Sequence, residues 1–312
     1  AGATTATGRQ AIAATGHPLA TEAALEALRR GGNAIDGAVA AALTLGVVDG
    51  HNSGLGGGCL MLLRLADGRF VAIDGRETAP EGATRTMFLR EGKPDPQLSL
   101  SGALAMGVPG ALAAYECALT NHGKLPLSSH LDVAAQLARH GFVLNRTYAR
   151  RLKDCADELR PFEASRAIFL KLDGAPFQQG EVLRQPDLAD TYQTIARQGT
   201  RWFYAGDFAA KAGEWSQQNG GVLRQTDFEH YEARLRPPVR TTYRGFDIAG
   251  FPPPSSGGLL IAQMLGMLEQ FNLKRMGAGS ADFIHVVTEA MKLAFADRAA
   301  HLGDAEIGRA HV

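Results

Sequence analysis

Polar and apolar positions near the start of the chain predict two capped helices. Residues 17–32 contain a proline near their start and close on two arginines followed by two glycines, which is typical of a helix with well-marked ends. Asn33, with Asp36 three residues later, has the pattern of a capping box and predicts a second helix over residues 34–48. Because this second helix is almost wholly Ala, Val and Leu, we expect it to be buried on all sides, against a sheet.

Apolar runs interrupted by turn residues predict two β-hairpins, and helical periodicity predicts further helices. The hairpin strands are residues 59–65 with 70–74, joined at Asp67-Gly68, and 239–243 with 246–249, joined at Arg244-Gly245. The further helices are expected over residues 111–119, 131–139, 145–159, 186–198, 208–218, 259–271 and 281–300. Few strands among many helices predict a mixed α/β chain of the α+β kind.

Composition argues against several classes of protein. The 312 residues carry 32 basic and 32 acidic side chains, and this balance argues against a nucleic-acid binder. Hydrophobic residues make up 45% and charged residues 21%, so we expect a compact globule. The longest uncharged apolar stretch falls well short of the roughly 20 residues that a membrane span needs. The three cysteines are far apart, so neither a disulfide framework nor a structural zinc site is expected.

The glycine-rich loop at residues 54–58 departs from the phosphate-binding motifs. It matches neither GxGxxG nor GxxxxGK[ST], and a strand rather than a helix is expected after it. We expect these glycines to allow close backbone packing or to donate N–H groups to a neighbouring site.

Two other patterns favour structural roles. His285 and Glu289 lie one helical turn apart without further ligands at a useful spacing, so we expect a hydrogen-bonded, partly buried pair rather than a metal site. Ser255-Ser256 has no GxSxG context and stands between three prolines and two glycines, which predicts a rigid, sharp turn rather than a nucleophile.

Arg76 differs in kind from these candidates. It follows an apolar strand, is flanked by Asp74 and Glu77, and is followed by Pro80. A guanidinium at the end of a strand can present two parallel donors to a carboxylate, which Lys cannot do. On the residues alone, a structural pair with an acid is the simpler interpretation and a substrate clamp is the alternative.

Taken in order, these segments resemble the γ-glutamyltranspeptidase family. The resemblance runs from about His17 to Asp304. The matching segments are HPLA at 17–20, RGGNAID at 30–36, SGLGGG at 53–58, DGRETAP at 74–80, GVPG at 107–110, PPPSSGG at 252–258, and EA with KLAFADR within 289–298.

The resemblance implies a fold and a reaction. Members of this family are N-terminal-nucleophile hydrolases with a four-layer αββα sandwich, made as a precursor that cleaves itself into a large and a small subunit. A Thr at the new N-terminus is the nucleophile, and its own α-amine is the base. We therefore expect cleavage of the γ-glutamyl amide of glutathione and related compounds through an acyl-enzyme, resolved by water or an acceptor amine.

This chain resembles the large-subunit side of the family. Residues 17–305 are expected to form the large-subunit portion of an incomplete sandwich, and its expected partners are the small subunit and the γ-glutamyl substrate. Thr241-Thr242 lies in a predicted hairpin and is rejected as the nucleophile, so no catalytic residue is expected in this chain. Arg76 matches the family's Arg that binds the α-carboxylate of the γ-glutamyl group. Neither a metal nor a cofactor is expected.

Departures from the family pattern keep two alternatives open. The loop at residues 49–53 and Cys59 differ from the family's common pattern. A cephalosporin or glutaryl acylase on the same scaffold, or a non-catalytic chain that binds small carboxylates or a partner, therefore remains possible. The resemblance also implies a periplasmic or secreted location, with any signal lying upstream of Ala1.

The two ends of the chain carry separate expectations. Residues 1–16 are expected to be a poorly defined segment. Residues 306–312 are expected to be a non-native tail, because one possible coding run for them resembles the start of a common sequencing adapter.

Overall fold

The computed structural model describes residues 5–303, and these divide into two compact units. The first unit comprises residues 5–58 and 76–232, and the second comprises residues 59–75 and 233–303. Helices and small antiparallel sheets occur together, so the α+β class is confirmed. The four-layer arrangement and the boundaries at residues 17 and 305 remain predictions, and the predicted tail at 306–312 lies outside the described residues.

The helices and strands are numbered in chain order. The helices are α1 (Pro18–Arg29), α2 (Ala34–Val48), α3 (Pro96–Leu100), α4 (Ala111–His122), α5 (Leu127–His140), α6 (Arg146–Asp154), α7 (Ala156–Leu159), α8 (Glu163–Phe169), α9 (Pro186–Gln198), α10 (Arg201–Ala205), α11 (Asp207–Gln218), α12 (Gln225–Glu229), α13 (Gly257–Leu268), α14 (Leu273–Met276) and α15 (Ala281–His301). The strands are β1 (Cys59–Arg64), β2 (Phe70–Gly75), β3 (Leu89–Arg90), β4 (Lys93–Pro94), β5 (Phe142–Val143), β6 (Val182–Leu183), β7 (Arg234–Arg236), β8 (Val239–Tyr243) and β9 (Phe246–Gly250).

The N-terminal helices of the first unit follow the predicted capping signals. Asn33 Oδ1 accepts the N–H groups of Ile35 and Asp36, and Asp36 Oδ2 accepts the N–H of Asn33 at 2.7 Å, so the capping box is confirmed. The main neighbours of α2 are the helices α1, α4 and α5, so the expectation that it packs against a sheet is wrong. An all-apolar helix surface specifies burial, but it does not specify which element covers it.

A buried carboxylate joins α2 to the segment before α5. Asp36 is fully buried, and its two oxygens accept the backbone N–H groups of Lys124 (3.0 Å) and Leu125 (2.9 Å) in addition to that of Asn33. His130 of α5 is also buried, with its Nε2 3.5 Å from Asp36 Oδ1. This carboxylate therefore holds two parts of the first unit that lie far apart in the sequence.

The second unit is built on antiparallel pairing. β1 pairs with β2 from Cys59↔Gly75 to Arg64↔Phe70, and β7 adds to the other edge of β2. β8 and β9 form the second predicted hairpin, α13 packs against this hairpin, and α15 packs against α13. Both predicted hairpins are thus confirmed. Among the described residues, no helix combines the length and the apolar character needed to cross a bilayer.

Candidate functional site

Arg76 stands at the start of a four-residue exposed stretch that lies between buried positions. Residues 72–75 of β2 are buried, Arg76 to Ala79 are exposed, and Pro80 is buried again. The exposed side chains are therefore carried by a main chain that is anchored on both sides. Such a stretch can offer a charged side chain to a ligand while the backbone keeps its position.

Hydrogen bonds from distant segments fix the main chain of this stretch. Thr78 forms a two-way bridge with Val108, whose N–H donates to Thr78 O at 2.8 Å. Tyr231 Oη donates to the carbonyl oxygen of Arg76 at 2.7 Å. Beyond the stretch, the N–H of Glu81 donates to Asp227 Oδ1 at 2.8 Å. The backbone from Arg76 to Glu81 is thus held at its start, its middle and its end.

Glycines pack closely against the same stretch. A Cβ atom placed on Gly58 would lie 2.5 Å from Glu77 Oε2 and 3.0 Å from Arg76 Cα, so a side chain here would displace the Glu77 carboxylate and crowd the Arg76 main chain. A Cβ on Gly107 would lie 3.3 Å from the carbonyl oxygen of Thr78. The expectation that the loop at 54–58 allows close backbone packing is therefore confirmed.

The glycine loop is itself attached to a helix N-terminus. The carbonyl oxygen of Gly57 accepts the N–H groups of Gly110 and Ala111, each at 3.0 Å, where α4 begins. These N–H groups have no partner within the helix, so an acceptor from outside satisfies them. β1 follows the loop at once, as predicted.

The loop at residues 49–53, where the sequence departs from the family pattern, is organised around Asp49. The carbonyl oxygen of Asp49 accepts the N–H groups of Asn52 and Ser53, and its carboxylate lies 3.2 Å from His51 Nε2. The ring of His51 lies edge-on to Tyr148, with centroids 5.1 Å apart. The residues that depart from the family pattern thus lie in a loop that contacts other residues of the first unit.

Asp74 has a cationic partner in its own unit. Its carboxylate is buried and accepts a 2.6 Å hydrogen bond from Arg236 Nε of β7. A short, charge-assisted bond of this kind stabilises a carboxylate that has been removed from water. The acid before Arg76 in the motif is therefore engaged in holding the sheet edge together.

The other sequence candidates lie in structural contacts. Glu289 accepts hydrogen bonds from Lys292 Nζ, and His285 is exposed, so the predicted partly buried pair of His285 with Glu289 is wrong. The Lys ammonium, one turn further along the helix, is the stronger partner because it carries a full charge. The lysine contact also lowers the pKa of Glu289. Within residues 5–303, no group of three or more His, Cys, Asp and Glu side chains could hold a metal ion.

The predicted turn at residues 252–258 and the predicted hairpin position of Thr241-Thr242 are both confirmed. Ser255 N–H donates to Pro252 O at 3.1 Å, and Ser256 Oγ accepts a hydrogen bond from Arg298 Nε at 3.1 Å. Thr241-Thr242 lies inside β8, paired with Ile248 and Asp247 of β9. Both hydroxyl pairs therefore lie in turn and sheet contacts within the second unit.

One known family matches the chain over most of its length. The family model described as Gamma-glutamyltranspeptidase matches residues 20–311. The chain belongs to the γ-glutamyltranspeptidase family. The exposed Arg76 stretch and the glycine loop that packs on it thus lie within the part of the chain that carries the family pattern.

The curated relatives that this chain matches include two with different names. A "Glutathione hydrolase proenzyme" of Escherichia coli (strain K12) is 42% identical over 298 residues, which cover 95% of this chain and 51% of that protein. An "Acylase ACY 1 proenzyme" of Pseudomonas sp. (strain V22) is 40% identical over 306 residues, which cover 96% of this chain and 55% of that protein. The chain spans about half the length of the curated relatives it matches.

A solved structure of the γ-glutamyltranspeptidase family has the same fold. The γ-glutamyltranspeptidase of Helicobacter pylori superposes with a TM-score of 0.94 at 38% identity, covering 97% of this chain and 87% of that chain.

No motif in the sequence marks most of the residues that hold the Arg76 main chain. Tyr231 lies 155 positions after Arg76, and Asp227 lies 146 positions after Glu81. No local spacing connects residues so far apart. The one usable signal was the GVPG segment at 107–110, which matched the family and contains Val108, the partner of Thr78.

Proposed function

We propose that this chain is the large-subunit portion of a proenzyme that cleaves γ-glutamyl amides such as glutathione, and that Arg76 binds the α-carboxylate of the γ-glutamyl group. The observation that carries the proposal is an exposed arginine on a rigidly held main chain in a member of the γ-glutamyltranspeptidase family. A planar guanidinium matches the geometry of a carboxylate with two parallel N–H donors, so it orients the substrate as well as attracting it.

The chemistry in this proposal is divided between two subunits. The hydroxyl of a Thr at the N-terminus of the small subunit attacks the γ-amide carbon, and the α-amine of that Thr takes up the proton. The proton then passes to the leaving amine as the C–N bond breaks. Water or an acceptor amine attacks the resulting ester and releases the γ-glutamyl group as glutamate or as a new γ-glutamyl amide. Arg76 takes no part in proton transfer and holds the far end of the acyl group.

The 40% identity to an acylase proenzyme favours a second candidate on the same scaffold. A glutaryl group has the carbon skeleton of a γ-glutamyl group without the α-amine, so its terminal carboxylate fits Arg76 equally well. The two activities differ in whether the site also recognises that amine. A third candidate, a non-catalytic carboxylate-binding chain, lacks a nucleophile altogether.

Turnover by the complete precursor separates these candidates. We expect kcat/KM for glutathione to exceed that for a glutaryl-cephalosporin by at least about tenfold, because a site built to pair with an amine rejects an analogue that lacks it. A reversed preference would establish the acylase. A precursor that encodes no Thr-initiated segment downstream and turns over neither substrate would establish the non-catalytic chain. We also propose the periplasmic or secreted location that the family resemblance implies, and fractionation of the source cells tests it.

The second unit has an apolar surface suited to the small subunit. Exposed large apolar side chains occur on the strands of its two sheets and on its last helix: Leu60, Leu62, Leu235, Phe246, Ile284, Met291, Leu293 and Phe295. Apolar surface of this extent is typical of a site that another chain covers. We propose that the small subunit from the same precursor covers it.

Isolation of the 312-residue chain tests this partner. We expect the chain alone to self-associate in light scattering and to bind a hydrophobic dye, because the apolar surface of the second unit stays open to water. The same chain co-produced with the downstream segment should elute as a defined species with little dye binding. A monodisperse isolated chain that unfolds cooperatively and binds no dye would contradict the proposed interface.

A further inference from the structure

A tyrosine that the sequence analysis did not single out holds the main chain of the proposed clamp. Tyr231 is half-buried, and its hydroxyl donates a 2.7 Å hydrogen bond to the carbonyl oxygen of the exposed Arg76. Because the peptide group is planar, fixing this carbonyl restricts the rotation that sets the direction of the Arg76 Cα–Cβ bond. The bond therefore acts on the direction in which the guanidinium is presented.

A second tyrosine supports the first. The rings of Tyr204 and Tyr231 are stacked, with centroids 5.8 Å apart and planes 12° from parallel. Tyr204 Oη donates to the carbonyl oxygen of Pro109 at 3.0 Å and accepts the N–H of Ala113 at 3.1 Å. Burial raises the pKa of Tyr204, which keeps its hydroxyl protonated as a donor. Tyr231 thus rests on a ring that is fixed to the start of α4.

Further contacts lead from α4 through the glycine loop back to the main chain of Arg76. The first N–H groups of α4, those of Gly110 and Ala111, hold the carbonyl oxygen of Gly57. Gly57 and Gly58 in turn lie against the Glu77 carboxylate and, at Gly58, against Arg76 Cα. The main chain of Arg76 is therefore held by one continuous set of contacts, from Tyr231 through Tyr204 and α4 to the glycine loop. Every contact in this set lies within the first unit.

We infer that Tyr231 is a positioning residue for γ-glutamyl recognition, and this inference rests on the proposed function. Its hydroxyl holds the Arg76 main chain so that both donors of the guanidinium meet both oxygens of the substrate α-carboxylate. A bidentate pair depends on this alignment more than a single point charge does. Because the carboxylate lies far from the reacting carbon, a loss of alignment weakens substrate and transition state equally, which raises KM and leaves kcat unchanged.

Tyr231→Phe in the complete precursor tests the inference. The substitution keeps the ring that stacks on Tyr204 and removes only the hydroxyl. We expect KM for a γ-glutamyl p-nitroanilide to rise about two- to tenfold, the range for loss of one hydrogen bond, with kcat within about twofold of wild type. In an Arg76→Ala background, the same substitution should raise KM no further, because the positioned group is already gone.

Tyr192→Phe is the matched control. Tyr192 is fully buried in the first unit, and its hydroxyl donates to the carbonyl oxygen of Leu43 at 3.1 Å. The substitution removes the same kind of hydrogen bond without touching the set of contacts around Arg76. We expect a lower Tm with an unchanged KM.

The possible outcomes distinguish the inference from the proposed function. A wild-type precursor that turns over no γ-glutamyl substrate overturns both. An active wild type in which Tyr231→Phe leaves KM unchanged, or in which Tyr192→Phe raises it as much, overturns the inference alone. If Tyr231→Phe does not mature, Tyr204→Phe serves as the second variant, with a smaller KM increase expected and an unchanged KM again overturning the inference.

Discussion

Replacing Arg76 with Ala in the complete precursor is expected to raise KM for γ-glutamyl donors about 100-fold or more, with a much smaller change in kcat. Two charge-assisted hydrogen bonds to the α-carboxylate are lost, and each is worth about 1.5–3 kcal/mol. Arg76→Lys keeps the positive charge but lacks the planar pair of donors, so its KM should rise about tenfold. Initial rates measured over a range of γ-glutamyl p-nitroanilide concentrations separate KM from kcat.

Arg69→Ala is the matched control for Arg76. Arg69 lies at the opposite end of β2, is largely exposed, and pairs with Asp67 in the turn of the first hairpin. Exposed ion pairs of this kind contribute little to stability. KM should therefore stay at the wild-type value in this variant. An unchanged KM in both Arg76 variants would remove Arg76 from the substrate site, even if the enzyme proved to be a γ-glutamyl hydrolase.

The parts of the fold predicted from the sequence depend on interactions between near neighbours. The Asn33–Asp36 capping box and the strands on either side of Asp67-Gly68 each involve residues only a few positions apart. Arg76 was found for the same reason, because its motif at residues 74–80 is contiguous. One helix is predicted over residues 145–159, but the structure has two helices that meet at Cys155. No strong helix-breaking residue marks this boundary in the sequence.

The parts that could not be predicted depend on contacts between distant segments or on a competition between partners. No pattern connects Tyr231 to Arg76, because the two residues lie 155 positions apart and meet only when the first unit has folded. The pairing of His285 with Glu289 fitted helical spacing, but Lys292 fits it as well and is the stronger partner for a carboxylate. Spacing on a helix therefore identifies the possible partners without ranking them.

Replacing Asp36 with Ala is expected to cause the largest loss of stability, about 3–5 kcal/mol in the free energy of unfolding of the first unit. The carboxylate accepts the backbone N–H groups of Asn33, Lys124 and Leu125 in a fully buried position. Without it, these donors lose their acceptor, and each buried unsatisfied group costs about 1–3 kcal/mol. Asp36→Asn keeps one oxygen acceptor, so its free energy of unfolding should fall by less.

Hydrogen exchange and urea unfolding measure this loss. The amides of Lys124 and Leu125 should exchange faster in Asp36→Ala, and the unfolding midpoint reported by Trp202 and Trp215, both in the first unit, should fall. Asp132→Ala is the matched control, since Asp132 is an exposed carboxylate of α5 and should change stability by less than about 0.5 kcal/mol. Equal effects of the two substitutions would show that the Asp36 contacts do not hold the unit together.

The direction in which stability changes with pH tests the role of the same carboxylate. Burial alone would raise the pKa of Asp36, but the N–H donors of Asn33, Leu125 and Lys124 hold it below the ordinary value of 3.8. The contribution of the Asp36 carboxylate to the free energy of unfolding is therefore complete above pH 3.8. It is lost as the pH falls through the lower pKa that this group has in the folded protein.

Burial also lowers the pKa of His130 from 6.5. The nearby Asp36 carboxylate acts in the opposite direction and raises this pKa, while repulsion by Arg30 lowers it further. Folding therefore favours the neutral imidazole, and stability declines as pH falls from 6.5 toward the folded value. Acidification destabilises the wild type through both groups. The stability difference between wild type and Asp36→Ala should consequently narrow as the pH falls below 3.8, because the unfolded chain then binds a proton at Asp36 that the folded carboxylate takes up only at its lower pKa. A difference that stays constant down to pH 2 would mean that the charge on Asp36 does not support the fold.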